Sequence, residues 1–549
     1  MQETDLNTGL FVSELHRQHC RQTKACLPRR AERSGMEITM KNTGRRIAVI
    51  GGGASGCMAA VAAARAGCSV TIFEKNEKIC KKIYATGNGR CNLTNLFLDR
   101  TCYHTRNGKG EAVLSFIHDF SQEDLIRFFK EQGVPVHDRD KYVYPRTDQA
   151  ETIARALENC LRDLGVKVVT DCTVDAVEDS TESREDQGFR IRYRQITCEK
   201  TANPSKKKNR VPTAKGGAKK AVRTSAVSGI FDCSAVILCT GGMAGPSFGC
   251  SGDGYRLARS FSHSIVSPLP ALTRLECDSP VLKRAAGVRC HASITLFEDL
   301  NHEEGQNHPD NQNHPDVQDG QGYYDGQGDH DGQGDQDGQG NQDYQGKSGT
   351  RGQMRRIACE DGELQITQNS ISGIPVFQLS GEAARLLDCG RRVRVQINFL
   401  PEFSEEEFDK ETAFRLQIDR NRMLGDLLLG LAHRKVIDLI LAEEGLQAEM
   451  KAARLSENRL RSIIYRFRKF ETGITGTGGF DHAQVTAGGV PLEEMDASFA
   501  SKKRAGLYFA GELIDVDGRC GGYNLQWAMT SGVLAGRAAG RYVSDKNDG

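Results

Sequence analysis

The 549-residue sequence contains no uncharged apolar run near the roughly 20 residues that a membrane-spanning helix needs. Its longest candidate, residues 425–441, is interrupted by Asp426, His433, Arg434, Lys435 and Asp438. Mean hydropathy is −0.49, which argues against a polytopic membrane protein. A net charge is also lacking: 73 Lys and Arg stand against 72 Asp and Glu, for a total of +1. The whole chain therefore gives no argument for nucleic acid or an anionic membrane as partner. Cysteine is plentiful, 18 in all, but no Cys-x-x-Cys occurs and several Cys sit inside apolar patterns (Cys57, Cys68, Cys239). That usage reads as small buried hydrophobes in a reducing compartment, so the expected localisation is cytoplasmic. The N-terminus is polar and acidic, without the apolar core of a signal peptide.

Two segments have too little apolar content to fold. Residues 301–349 repeat QNHPD and DGQG and hold eleven acidic residues against one Lys. They read as a disordered acidic insert, since almost nothing there offsets the entropy of ordering. The four His in this run match no closed metal site, and no metal is expected. Residues 199–225 carry nine Lys or Arg and one acid, and read as a flexible basic insert. Residues 1–44 lack periodicity and are expected to be a disordered extension.

What is present begins with a nucleotide fingerprint. Arg46-Ile47-Ala48-Val49-Ile50 reads as a buried parallel strand, and G-x-G-x-x-G follows at Gly51, Gly53 and Gly56. A small-residue helix is expected over 57–66, then a second strand over 68–73 that ends on Glu74 with Lys75 beside it. Gly51 permits the tight turn, Gly53 lets backbone approach a pyrophosphate, and Gly56 lets helix and strand pack closely. Ala54 and Ser55 belong to the same loop, and the helix start behind it supplies free N–H groups. Glu74, eighteen residues after Gly56, is placed to accept from ribose hydroxyls and disfavours a 2′-phosphate.

The remaining signals favour FAD over NAD as the bound dinucleotide. Thr86-Gly87-Asn88-Gly89-Arg90-Cys91-Asn92 is a glycine-rich loop where an NAD dehydrogenase would run into a helix. Arg90 there is a charge for phosphates or substrate, and Cys91 reads as packing. A third apolar strand ends at Thr240-Gly241-Gly242, and a fourth near the C-terminus ends at Gly511-Glu512. Gly521-Gly522-Tyr523-Asn524 then opens a helix over 525–542 rich in small residues. A ligand touched by both chain ends is large, as FAD is. Glu512 suits a ribityl hydroxyl. The N–H groups after Gly521-Gly522 suit the flavin pyrimidine edge, where negative charge develops on reduction.

RIAVIGGGASGCMAAVAAARAG, ATGNGRCNLTN, Ser370-Ile371-Ser372-Gly373-Ile374-Pro375, GTGGFDHAQVTAGGV and GLYFAGELIDVDGRCGGYNLQWAMTSG together resemble the BaiN/RdsA-type, aminoacetone-oxidase-like family of FAD-dependent oxidoreductases. The resemblance implies an α/β fold: a glutathione-reductase-like FAD-binding Rossmann domain split between the chain ends, with an inserted β-rich domain and a small helical domain. The FAD-binding domain is expected over 45–260 and again over 474–549. Between these stretches the β-rich domain is expected over 261–403 and the helical domain over 404–473. The resemblance also implies a loop at the flavin edge over Thr486-Ala487-Gly488-Gly489. Gly249-Cys250-Ser251-Gly252-Asp253-Gly254, Phe261-Ser262-His263 and Gln368-Asn369 depart from the family pattern where the inserted domain is expected to face the flavin.

The resemblance also implies the chemistry: reduction of a conjugated enone in a small, steroid-like olefin such as an oxo-bile acid, by hydride transfer from the flavin. No second strand-fitted fingerprint exists, since Gly476-Thr477-Gly478-Gly479 lacks the later glycine. NAD(P)H is therefore expected as a transient donor at the open flavin face. Tyr523 and His482, each in a matched block, are the candidate general acids. Two rivals fit the same residues: an oxygen-using amine or aminoketone oxidase, and a flavin-dependent RNA-modifying protein, for which only the basic run speaks.

Overall fold

The computed structural model describes residues 45–108, 110–180, 188–198, 224–300 and 354–548. The extension over 1–44, the acidic run 301–349 and the basic run through residue 223 lie outside the described residues, and so do the expectations placed on them. The chain divides after Thr43, and the unit that starts at Gly44 contains all of the described residues.

Five short strands make the central sheet: β1 (Arg46–Ile50), β2 (Ser69–Phe73), β3 (Lys167–Val169), β4 (Ala235–Leu238) and β5 (Leu507–Phe509). Their spatial order is β5-β4-β1-β2-β3, with every neighbouring pair parallel. Parallel strands are covered on both faces, so they read as continuous apolar runs. Ile47, Ala48, Val49 and all four residues of β4 are fully buried. β5 comes from the far end of the chain, so the C-terminal segment completes a sheet begun at Arg46.

Three helices govern the site: α1 (Ala54–Arg65), α2 (Ile374–Asp388) and α3 (Tyr523–Asp548). α1 begins three residues before the expected start, with Gly53 as N-cap. Ala54, Ser55 and Gly56 are thus its first turn, because Gly56 packs from within the helix onto the β1 loop. A Cβ at Gly56 would stand 1.9 Å from the Gly51 carbonyl oxygen. α3 lies backbone to backbone on α1. Gly532 and Gly536, four residues apart on one face, leave no room for side chains: a Cβ at either would be 2.3 Å from the carbonyl oxygen of Ser55 or Ala59.

Between β4 and β5 the chain closes a six-stranded antiparallel barrel. Around it run Leu275–Cys277, Ser370–Ser372, Met354–Ile366, Arg289–Asp299, Arg392–Asn398 and Phe470–Thr477. Apolar and polar residues alternate along the sequence over 292–297, 362–367 and 392–399, the pattern of half-buried strands, and these stretches fall on three of the barrel strands. Alternate residues point inward: Ala292, Ile294 and Leu296 are fully buried, and Val395 and Ile397 face the same core. The last barrel strand passes the boundary placed at residue 474 and ends at Thr477, because Phe470, Thr472 and Ile474 continue the inward alternation.

The helices Glu405–Gln417, Leu424–Leu427, Arg434–Glu443 and Glu457–Arg466 occupy the segment read as a helical domain. They share one core with the barrel: Ile437, Ile440, Ile463 and Ile464 pack in the same cluster as Leu296 and Val395. Short one-sided helices cannot bury a core alone, so they cap the barrel and do not stand as a separate unit. Val266–Ala271 pairs antiparallel with Val485–Gly489, joining barrel to sheet. Thr486 through Gly489, expected as a loop, are therefore strand.

Gly536→Val forces α3 off α1 and is expected to lower unfolding stability by about 1–3 kcal/mol. Urea unfolding measures it, and a midpoint equal to that of the unmodified protein contradicts the backbone contact.

Candidate functional site

A cavity of about 760 Å³ opens where β1, β2 and β4 end. Residues at the carboxyl ends of parallel strands commonly form such sites, because the crossovers there leave a crevice. Gly51, Gly53, Ala54 and Ser55 form one wall. Gly51 has a φ of +102°, and a Cβ on it would strike the Cys239 carbonyl oxygen at 2.4 Å. Gly53 faces open space, with nothing within 4 Å of where its Cβ would be. No side chain caps α1, so its first N–H groups and their partial positive charge face the cavity. Gly56 packs beneath and is outside the lining.

Glu74 stands at the end of β2, almost fully buried. One carboxylate oxygen accepts from the Gly52 N–H at 2.7 Å; the other accepts from the Asn76 N–H at 2.8 Å and its Nδ2 at 2.7 Å. A carboxylate has about four acceptor sites, so capacity remains for a ligand hydroxyl. Lys75 also lines the cavity, but its ammonium is engaged by Asp253 at 2.5 Å and by Ser251. That pair fastens the turn 249–254 to the sheet. Burial opposes ionisation of Asp253, yet Lys75 and Ser251 hold its carboxyl below the usual range.

The loop 86–92 is a tight turn in which Gly87 (φ +56°) and Asn88 (φ +54°) are left-handed. Gly87, Asn88 and Arg90 line the cavity, with Arg90 exposed at its mouth. Gly89 and Cys91 do not. Cys91 is fully buried, and burial pushes its thiol up to about 12, so it stays protonated. Asn92 does line the cavity, and its Oδ1 is buried without a hydrogen-bond partner. No role for Asn92 was legible in the sequence, because nothing in the residue pattern shows that its amide is left unpaired.

The site residues beyond β4 divide in the same way. Thr240 and Gly241 line the cavity; Gly242 lies behind it, where a Cβ would be 2.4 Å from the Thr486 hydroxyl. Gly511 packs on Ser55, and its N–H donates to the Ser531 hydroxyl at 2.9 Å. Glu512 lines the cavity as half of an ion pair with Lys82 at 2.9 Å. Its other oxygen accepts from the Thr486 N–H at 3.1 Å and hydroxyl at 2.8 Å. Burial opposes the Lys82 charge, but Glu512 overrides it and raises the ammonium above its ordinary pKa.

At the start of α3, Gly521, Gly522 and Asn524 line the cavity. A Cβ at Gly522 would come within 2.6 Å of the Thr94 carbonyl, so only glycine permits this approach. The Asn524 amide is spent on the Gly518 N–H and carbonyl, both at 2.8 Å. Tyr523, a candidate acid, is buried outside the lining. Its ring meets Tyr103 edge-on at 5.9 Å, and the Tyr103 hydroxyl donates to its carbonyl. Successive residues of a helix are turned by about 100° from one another, so at the start of α3 Tyr523 points into the core while Asn524 lines the cavity. His482, the other candidate, is exposed at the rim. His263, expected near the flavin, is buried elsewhere, with Nδ1 2.6 Å from Glu494 and Nε2 2.7 Å from the Ser501 hydroxyl. Burial lowers its pKa against the pull of Glu494.

The barrel supplies the remaining wall. Leu272, Ile374 and Phe377 are apolar lining residues, and Ile374 is 53% exposed. From α2, Gln378 accepts from the Cys520 N–H at 2.9 Å and donates to its carbonyl at 3.4 Å. Arg385 pairs with buried Asp517, and Arg519 reaches Glu360 at 2.7 Å. These ties fix the 517–522 segment against the barrel. Asp515, just before it, is 5% exposed, and burial raises its carboxyl to about 6, with the Arg106 N–H opposing.

The residues fit FAD on three observations: the open space at Gly53, the uncapped start of α1, and the orphaned Asn92 carbonyl, which asks for a ligand N–H or O–H. Among the described residues, no group of three or more His, Cys, Asp or Glu is placed to hold a metal ion. No helix among them is long and apolar enough to cross a membrane.

Gly53→Val fills the open space before α1 and is expected to give colourless purified protein; retention of a yellow flavin band contradicts the expected role of Gly53. Asp515 titrates with a folded pKa above its unfolded value near 4, so the folded state binds the proton more tightly. Stability is then lost as pH rises from about 4 to about 6. Asp515→Asn is expected to remove a loss of about 2 kcal/mol over that interval, read from urea midpoints at pH 4.5 and pH 7.

Comparison with known proteins agrees with this geometry. The family described as HI0933-like protein Rossmann domain matches residues 45–203 and 195–538. The chain is 34% identical over 500 residues to a 3-dehydro-bile acid delta(4,6)-reductase of Clostridium scindens, covering 90% of this chain and 98% of that one. It is 24% identical over 487 residues to a ribosomal RNA dihydrouridine synthase of Haemophilus influenzae, covering 88% and 95%. The corresponding Escherichia coli protein is 23% identical over 493 residues, covering 88% and 95%.

Proposed function

This chain belongs to the HI0933-like family, and from that premise we propose that it is an FAD-dependent reductase of conjugated enones in steroid-like molecules, with NAD(P)H as donor. It is a flavoprotein oxidoreductase with a Rossmann-like fold. One observation carries the finer reading: the cavity that contains the glycine cradle is also walled by Leu272, Ile374 and Phe377 from the barrel. An apolar wall beside a hydride carrier suits a substrate with a large apolar body and few polar handles. The bile acid reductase, aligned over nearly its whole length, supports the same substrate class.

Bound FAD supplies two-electron hydride chemistry at this site. The start of α1 and Gly53 seat the pyrophosphate, where N–H groups meet negative charge. Glu74 receives ribose hydroxyls with its remaining acceptor sites. The Asn92 carbonyl would accept from a ligand N–H or O–H, and the turn at Gly521-Gly522 would offer backbone to the flavin end of the cofactor. Leu272, Ile374 and Phe377 offer an apolar surface on the substrate side, from which a bound apolar molecule would displace water. Gly476 and Thr477 end a barrel strand, so that glycine run does not form a second nucleotide cradle. A nicotinamide then reaches the open face of the same cavity. Free thiols throughout the described residues suit a reducing compartment such as the cytoplasm.

Anaerobic mixing with NADH or NADPH tests this reading. The flavin band is expected to bleach with at least one of them and to return when a 3-oxo-4,6-diene steroid is added. A band bleached by an amine and untouched by both nicotinamides would sink the reductase and favour the oxidase. Two relatives are named as ribosomal RNA enzymes, so RNA is the second oxidant to try. Recolouring by ribosomal RNA and not by the steroid would favour RNA modification.

A further inference from the structure

The proposed reduction needs a proton donor, and the strand Tyr142–Pro145 brings two tyrosines to the cavity. Tyr142 and Tyr144 are two residues apart on this strand, so both rings leave the same face, while Val143 between them is buried on the other. Both line the cavity. Neither hydroxyl hydrogen-bonds to another described residue, so each is free to donate to a ligand. Burial raises both phenols above their ordinary value, so both carry their protons at neutral pH.

Position separates the two. The Tyr142 ring rests on the turn that opens α3: a Cβ at Gly521 would stand 2.5 Å from its Cε1. The adjoining Cys520 backbone is bonded in both directions to Gln378 of α2, next to Phe377 of the apolar wall. Tyr142 is thus joined through Gly521, Cys520 and Gln378 to the wall assigned to substrate. Tyr144 turns toward His137, at 6.1 Å between ring centroids, and toward Arg139. Other cavity acids are less suited. Lys82 is held by Glu512, Lys75 by Asp253, and His482 is exposed, without a side-chain hydrogen bond among the described residues.

We propose that Tyr142 is the catalytic acid that protonates the substrate carbon as the double bond is reduced, an assignment that rests on the enone-reductase reading. The alkene carbon remote from the ketone takes a hydride, and with it both electrons, from reduced flavin recharged by a nicotinamide. The π bond breaks toward the neighbouring carbon, which forms its new C–H bond with the Tyr142 proton. The phenolate recovers a proton from water.

The test compares purified holoprotein with Tyr142→Phe, which keeps the ring and its contact with Gly521. Three quantities are read: bleaching of the flavin by NAD(P)H, the dissociation constant of the 3-oxo-4,6-diene steroid from the oxidised protein, and recolouring of the reduced protein by that steroid. Bleaching and dissociation constant are expected to stay within about twofold, while recolouring slows by about 100-fold or more, the usual range for loss of a general acid. Recolouring at the unmodified rate overturns the proposal alone. Equal losses in all three readings also overturn it, since they assign Tyr142 to packing. Failure of the unmodified protein to recolour overturns the enone reading, and Tyr142 as its acid with it.

Discussion

The site depends on one steric constraint: α3 and α1 approach so closely that their backbones touch. Gly532 and Gly536 lie against the carbonyls of Ser55 and Ala59, where any side chain would collide. This contact brings together segments separated by most of the chain. It places β5 beside β4 and delivers the turn at Gly521-Gly522 to the cavity that begins at Gly51. Glycine at these positions serves both packing and site geometry. The same residues that let the helices touch determine how far α3 projects its first turn toward the ligand.

A second set of contacts sets the other half of the cavity. The barrel has its own core, continuous with the helices that cap it, and meets the sheet through the paired strands Val266–Ala271 and Val485–Gly489. Two strands alone would leave that junction free to rock. Gln378, Arg385 and Glu360 remove the freedom by gripping the segment from Asp517 to Cys520. The Arg385–Asp517 pair is largely buried, so solvent screens it less than it would a surface ion pair. The apolar wall from the barrel and the glycine turn from the sheet therefore keep a fixed separation.

Much of this was legible in the sequence where backbone geometry dictates residue type. Gly51, Gly53 and Gly522 occupy places no side chain can share with its surroundings or ligand, so they appear as glycines in a recognisable order. The alternation at Ala292, Ile294 and Leu296 likewise announced a half-buried strand. Roles that depend on where a side chain points were not legible. Tyr523 sits in a glycine-rich block beside the site, yet it faces Tyr103. Tyr142 sits in a four-residue strand without a motif, yet it faces the cavity. Cys91 and Asn92 are adjacent, one sealed in the core and one left with an unpaired carbonyl. The helical segment misled for another reason: its periodicity shows that the helices have a buried face but not whose core that face joins.

The pattern of pairing inside the cavity says what kind of ligand end it is built to receive. Lys75 is matched by Asp253, and Lys82 by Glu512, while Glu74 is held by backbone and amide N–H groups. Each of these charges has an internal partner, and at low dielectric an unpaired one would be costly. What remains available is largely uncharged: the N–H groups of α1, the Asn92 carbonyl, the hydroxyls of Tyr142 and Tyr144, and apolar surface from α2. The helix start and the exposed Arg90 at the cavity mouth are the features suited to anionic charge. Away from the helix start, neutral donors and an apolar wall suit the uncharged part of a ligand, as the proposed enone substrate would present it.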